Sequence, residues 1–313
     1  MNKFDLMKHK NSILLLCLIA VGSLISGCKK TETTPLEEPC TEKTWYQDVD
    51  GDGLGNPDVS KKECGQPNGY VENSGDKVDQ KASRAGVSMI FKVTGETCYY
   101  CGDWGWEAFA SLIDRYKGGK ALTWGNYGTG FSNSFFRKQE ITETMQSLQT
   151  RFAPNSSKPN FVTNGKNYST SSADAQAAAD AFTLTTAPIG AVLSAKIEGN
   201  QLIINAEAEA FSDASGVYVM GVYLIEDKVS GPQSGPIGEN GNVEHHNVMR
   251  GSLSADAWGE VITENGLTAG QKYEKTYSVT IPAGYNSANF SYGVIIWKKI
   301  ITVHNFVNAY SSK

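Results

Sequence analysis

Cys98 and Cys101 stand two residues apart in "TGETCYYCGDWGW", directly after an apolar segment and directly before a helical one. Segment 86–96, "GVSMIFKVTGE", has the apolar character of a buried strand that ends at a Gly turn. After the cysteines, Trp106, Phe109, Ala110 and Ile113 recur at i, i+3, i+4 and i+7, with Leu112 and Tyr116 widening the face. That spacing predicts a helix with one buried side. Gly118 in "YKGGK" is suited to end it, and "ALTWGNY" reads as a second strand. A helix over about 138–152 follows, then a short strand in "KPNFVTNGK" running into an Asn-Gly turn. An Ala-rich helix in "SSADAQAAADAF", starting on Ser or Asp caps, closes the unit at 86–186.

This order is similar to that of thioredoxins, and Pro159 in "KPNF" resembles the cis-proline that faces the cysteines in that fold. A helix N-terminus carries partial positive charge, which lowers the pKa of a Cys placed there and favours its thiolate. Other residues oppose a redox reading. Thr97 stands where the family carries Trp, Tyr99 and Tyr100 stand where it carries Gly-Pro, and no acid or His matches its buried proton acceptor. The same spacing serves inert disulfides. A zinc site would need four ligands, and no second pair or well-spaced His completes it.

The chain opens with Lys3, Lys8 and Lys10 ahead of an apolar run, 13–25. That run falls short of the ~20 residues that span a bilayer, so 1–27 reads as a secretory signal. Its end, Leu24-Ile25-Ser26-Gly27-Cys28, resembles a bacterial lipobox, which implies cleavage before Cys28 and acylation of that residue. Acyl chains hold a protein on a membrane without a spanning helix. Segment 28–39 is polar and carries two prolines, a composition suited to a flexible tether. A formal charge of −5 and the lack of a basic patch with interleaved aromatics argue against nucleic acid. With Cys17 in the signal and Cys28 acylated, four of the six cysteines remain. They form two local pairs in an exported chain, Cys40 with Cys64 and Cys98 with Cys101, and both are expected as disulfides.

In "WYQDVDGDGLGNP", Asp48, Asp50 and Asp52 alternate ahead of Gly53. Carboxylates at positions one, three and five of a tight loop converge on one hard cation, Gly at six permits the turn, and Leu54 at seven can offer its carbonyl. This pattern fits Ca²⁺. Position twelve, where an EF-hand has a bidentate Glu, holds Val59, so further ligands must come from elsewhere, with Asp58, Asp76 and Asp79 the candidates. Segment 40–80 resembles the short Asp-rich calcium motifs akin to thrombospondin type-three repeats, departing from them at Lys77 and Val78. A cation there would rigidify a small module.

From 187 to the C-terminus the chain alternates like strands, beginning with "AVLSAKIEGNQLIINAEAEAF" about a turn at Gly199-Asn200, and predicts an all-β sandwich. A Gly-rich crossover, "GPQSGPIGENGNVEHHNVMRGSL", holds His245, His246 and Arg250. Adjacent His residues on extended chain point opposite ways, which favours packing or hydrogen bonding over a shared metal. The stretches "FKVTGETCYYCGDWGW", "KPNFVTNG" and "VEHHNVMRGSL" with the strand-rich end resemble the Omp28-related outer-membrane lipoproteins. That resemblance implies an outer-membrane location and a thioredoxin-like domain followed by a β-sandwich, but no defined reaction.

The expected protein is a multidomain, lipid-anchored cell-envelope protein. It acts as a binding or structural module for an unidentified protein or ligand, with calcium and disulfides as staples. The alternative is a membrane-tethered thiol–disulfide oxidoreductase with Cys98 as nucleophile, Cys101 as resolving Cys and Pro159 facing them.

Overall fold

A computed structural model describes residues 40–128, 139–155, 157–254 and 256–313. The expected signal, tether and acylated Cys28 lie outside the described residues. Glu42–Lys313 forms one compact unit. No helix among the described residues is long and apolar enough to cross a membrane.

Strands β1 (Lys43–Gln47), β2 (Asn56–Glu63) and β3 (Tyr70–Val71) make a small antiparallel sheet with β1 in the middle. Then β4 (Ser88–Val93) leads through the cysteine turn into α1 (Trp104–Tyr116), and β5 (Ala121–Asn126) returns parallel to β4. After α2 (Gln139–Phe152), β6 (Asn160–Thr163) runs antiparallel to β4 and pairs with β7 (Lys166–Asn167). The turn between them is Asn164-Gly165, with φ of 51° and 81°, the pair of positive values a tight two-residue hairpin needs. Helix α3 (Ser172–Phe182) starts on Ser171, whose hydroxyl accepts the Asp174 N–H at 3.2 Å.

The remainder is strand after strand: β8 (Ile189–Glu198), β9 (Gln201–Ala210), β10 (Ala214–Ser215), β11 (Val217–Glu226), β12 (Val229–Gly231), β13 (Val243–His245), β14 (Val248–Ser252), β15 (Glu260–Thr263), β16 (Gly266–Leu267), β17 (Lys272–Thr280), β18 (Phe290–Ile300) and β19 (Val303–Ser311). Strands β17, β9 and β8 form one sheet. Strands β10 and β16 pair with each other, as do β12 and β13, while β11, β14, β15, β18 and β19 join the earlier strands in a nine-stranded sheet of order β19-β18-β11-β14-β5-β4-β6-β7, with β15 also on β11. The join is β14, antiparallel to β11 and parallel to β5 at Val248 opposite Gly125. The sequence predicts a crossover loop there. Because β14 lies within it, the sheet runs unbroken across the expected boundary at 186/187.

Alternation along the strands divides the core. Met89, Phe91 and Val93 of β4 face α2, together with Trp124, Tyr223, Ile295 and Trp297 from β5, β11 and β18. This side is continuous across the whole sheet. On the opposite side, Ile90 and Phe161 meet Phe109, Leu112, Ala175 and Ala179 from α1 and α3. Farther along that side, Met220, Val222, Leu224 and Ile296 pack on Ile189, Leu202 and Ile204 of the three-stranded sheet, which makes a sandwich. The buried stripe of α1 is Gly105, Phe109, Leu112 and Tyr116 rather than one centred on Ala110, which is exposed. The two stripes share Phe109, Leu112 and Tyr116, and Gly105, close-packed on Pro159, joins the observed one.

Candidate functional site

The β1–β2 connection carries the acidic loop. Gly51 and Gly53 take positive φ (79° and 88°) and donate their N–H groups to Asp48 Oδ1 and Oδ2 at 2.7 and 3.2 Å. Asp50 and Asp52 accept the N–H of the residue two ahead at 3.1 and 2.8 Å. These turns bring one oxygen each from Asp48, Asp50 and Asp52 within 4.8 Å of one another.

Two further carboxylates arrive from the segment after β3. Asp79 accepts the Val49 N–H at 2.8 Å and the Asn56 side-chain amide at 3.1 Å. Asp76 is 7% exposed, and its Oδ1 accepts the Val78 N–H at 2.7 Å, while its buried Oδ2 has no hydrogen-bond partner. Burial raises its pKa, the Val78 bond opposes the shift, and the charges of Asp50, Asp52 and Asp79 add to it. Asp58 stays outside this group, exposed on β2 and close enough to Lys196 to stabilise its charge.

The sequence does not reveal two residues that also meet the loop. Lys272 of β17 places Nζ 3.4 Å from Asp50 Oδ2, 3.4 Å from Asp52 Oδ2 and 3.1 Å from Glu207 Oε2 on β9. Glu207 is 2% exposed, and burial pushes its carboxyl up to about 7 against the hydrogen bond and charge of Lys272. Burial works against the Lys272 ammonium, but Glu207, Asp50 and Asp52 outweigh it and raise its pKa.

At the other site Cys98 and Cys101 are joined in a disulfide with Cα atoms 5.2 Å apart. Cys40 and Cys64 are also each disulfide-bonded. The Cys98–Cys101 pair sits on a separate 3₁₀ turn, Tyr99–Cys101, and α1 begins only at Trp104. This corrects the expectation of a pair at the N-terminus of α1. The interruption has a cause in packing: a strap of residues 233–238 lies on the turn. Ser234 N–H donates to Glu96 O at 2.7 Å and Ile237 N–H to Gly102 O at 3.2 Å, while Gln233 Nε2 reaches Cys98 O at 3.1 Å. A Cβ at Gly102 would lie 2.0 Å from Ser234 O, and one at Gly235 (φ 100°) 2.4 Å from Tyr99 O. Cys98 and Cys101 are 4% and 0% exposed, while Tyr99 and Tyr100 are 56% and 59% exposed.

Pro159 follows a cis peptide bond from Lys158 and packs against Gly105, whose Cβ would fall 2.5 Å from Pro159 Cγ. Lys92, unmarked by sequence reasoning, is 2% exposed with Nζ 3.4 Å from Gly105 O, and burial lowers its pKa to about 7. His245 is fully buried, its Nε2 donating to Pro232 O at 3.1 Å and its Nδ1 accepting from the Tyr127 hydroxyl at 2.7 Å. Burial lowers its pKa to about 4. His246 turns away to Asp227 at 2.8 Å, and Arg250 pairs with Glu226 at 2.8 Å in the interior. All three therefore take packing or hydrogen-bonding roles.

The family model described as outer membrane protein Omp28 matches residues 157–308. That span contains "KPNFVTNG" and "VEHHNVMRGSL" and begins after the cysteine pair. Among solved structures, HBP35 of Porphyromonas gingivalis shares the fold with a TM-score of 0.58 and 15% identity, over 73% of this chain and 75% of that one. A domain of the outer membrane lipoprotein Omp28 from Porphyromonas gingivalis is matched at 17% identity over 39% of this chain and 89% of that one, with a TM-score of 0.26. No curated protein matches the chain. Residues 157–308, the strand-rich part of the chain, are thus similar to the Omp28 outer membrane proteins.

Proposed function

We propose that this chain is a lipid-anchored cell-envelope protein of the outer membrane that serves as a binding or structural module, held rigid by Ca²⁺ and disulfides. The leader ending at Cys28 and the family's description as an outer membrane protein support the location. The strand order β5-β4-β6-β7 with its three helices, and the fold likeness to HBP35, support a thioredoxin-like unit used as scaffold. The observation that carries the reading is the burial of Cys98 and Cys101 beneath the strap. A nucleophilic thiolate needs access to its target, and Cys98 and Cys101 are 4% and 0% exposed in a turn that residues 233–238 pack against. The alternative oxidoreductase draws support from Pro159 and Lys92 near the turn, and the burial of both cysteines weighs against it.

Ca²⁺ is the cation best suited to the loop. Asp48, Asp50 and Asp52 converge as an all-oxygen, anionic set, and Asp76, whose buried Oδ2 is unpartnered and which lies close enough to feel the charges of Asp50, Asp52 and Asp79, supports a further ligand. With Kd on the order of 10⁻⁴ to 10⁻³ M, calcium at one hundred times Kd stabilises the fold by about 2.7 kcal/mol. Calorimetric melting should show that increment in the native chain and its loss in Asp50→Ala. A melting temperature indifferent to calcium would remove the cation from the account. Anchoring is tested separately: Cys28→Ala should abolish acyl labelling and leave the membrane fraction, and labelling that persists rejects Cys28 as the acylated residue.

A further inference from the structure

Lys272 lies more than two hundred residues from the acidic loop in sequence, on the three-stranded sheet. Its ammonium nevertheless stands among three carboxylates, Asp50, Asp52 and Glu207, at 3.1 to 3.4 Å. An ammonium has three donors and no acceptor, so this is the arrangement that neutralises converging carboxylates in place of a metal ion. The side chains of Asp50 and Glu207 are each 3% exposed and that of Lys272 is 28% exposed, so water screens the cluster weakly. A divalent ion drawn to Asp48, Asp50 and Asp52 would compete with the Lys272 ammonium for the charge of Asp50 and Asp52.

We propose that Lys272 is a tethered competitor of the loop's cation: it fills in for the metal among Asp50, Asp52 and Glu207, and metal binding drives it back onto Glu207 alone. The inference rests on the cation reading given above. Glu207 suits the retreat because its Oε1 is buried without a hydrogen-bond partner and can accept a donor that leaves the loop. Other contacts between the module and the sandwich do not involve Lys272. Asn205 donates to Lys77 O at 3.4 Å and Tyr310 to Gln80 at 3.2 Å, so the two parts stay joined while the lysine moves. The device weakens affinity and makes the loop respond to cation concentration rather than hold a permanent ion.

The experiment is a calcium titration by calorimetry on the full chain in detergent. Lys272→Met should tighten Kd about tenfold, and Lys272→Arg, which keeps the charge, should bind as weakly as the native chain. Glu207→Gln should weaken binding several-fold where Lys272 is present and leave it unchanged in the Lys272→Met background. Native binding with Kd unaltered or weaker in Lys272→Met overturns the competition, as does Lys272→Arg binding as tightly as Lys272→Met. Equal weakening by Glu207→Gln in both backgrounds makes Glu207 a direct ligand and overturns the retreat. No calcium binding by native chain and Lys272→Met alike overturns the cation reading itself, and this inference with it.

Discussion

Lys92 carries an ionisable group into a strand whose other members are Ser88, Met89, Ile90, Phe91 and Val93, all buried. Its ammonium faces the rings of Phe109 and Trp106 at 5.0 and 5.7 Å, which compensates only part of its lost hydration. A folded pKa near 7 against 10.5 unfolded fixes the sign of the pH dependence. The unfolded chain binds the extra proton between those values, so the penalty is full below pH 7 and fades as pH rises toward 10. Lys92→Met should therefore melt above the native protein at pH 7, with the advantage shrinking by about 1 kcal/mol per pH unit up to pH 10. An advantage that stays constant across that range would show that Lys92 is not neutralised by burial. The sequence holds the signal, a lysine inside an otherwise apolar strand. Glu207 gives no such signal. In "NAEAEA" it occupies an alternate position that reads as solvent-facing, yet Lys272 and Asp50, both distant in sequence, lie beside it.

At the scale of elements, the strap decides what the cysteines can do. It is fastened by backbone hydrogen bonds and by the side chain of Gln233, and Gly102 is the residue that lets it approach. Gly102→Ala would put a methyl group 2.0 Å from Ser234 O. Backbone must shift, at a cost of about 1–3 kcal/mol for an overpacked contact. That variant should melt lower and have its Cys98–Cys101 disulfide reduced faster by dithiothreitol than the native chain, as read by maleimide trapping. Equal reduction rates would mean that the strap does not guard the pair. The helices and most strands of this region are legible from spacing, because 3.6-residue and two-residue periods report directly on one-sided burial. The strap and β14 are not. Both lie in a Gly-rich stretch whose partners, the cysteine turn and β5, come from far upstream, and no local period encodes them.

For the whole molecule, the consequence is one sheet rather than two independent domains. The helix-flanked strands and the sandwich strands share a continuous core on the α2 side, where Trp124 of β5 stacks on Tyr223 of β11 at 6.4 Å. Composition separates the halves because their other sides differ: helices cover one part and a second sheet covers the other. The cysteine turn is thus clamped by a strap from the sandwich half, and the central claim is that its disulfide is a structural element. The reduction potential of Cys98–Cys101, measured against dithiothreitol and glutathione buffers beside an insulin-reduction assay, tests this most directly. Structural disulfides lie below about −300 mV, and the buried pair should fall there without insulin turnover. A potential near about −200 mV, in the range of catalytic or labile pairs, with turnover that disappears in Cys98→Ser, would contradict the account and make the protein an oxidoreductase.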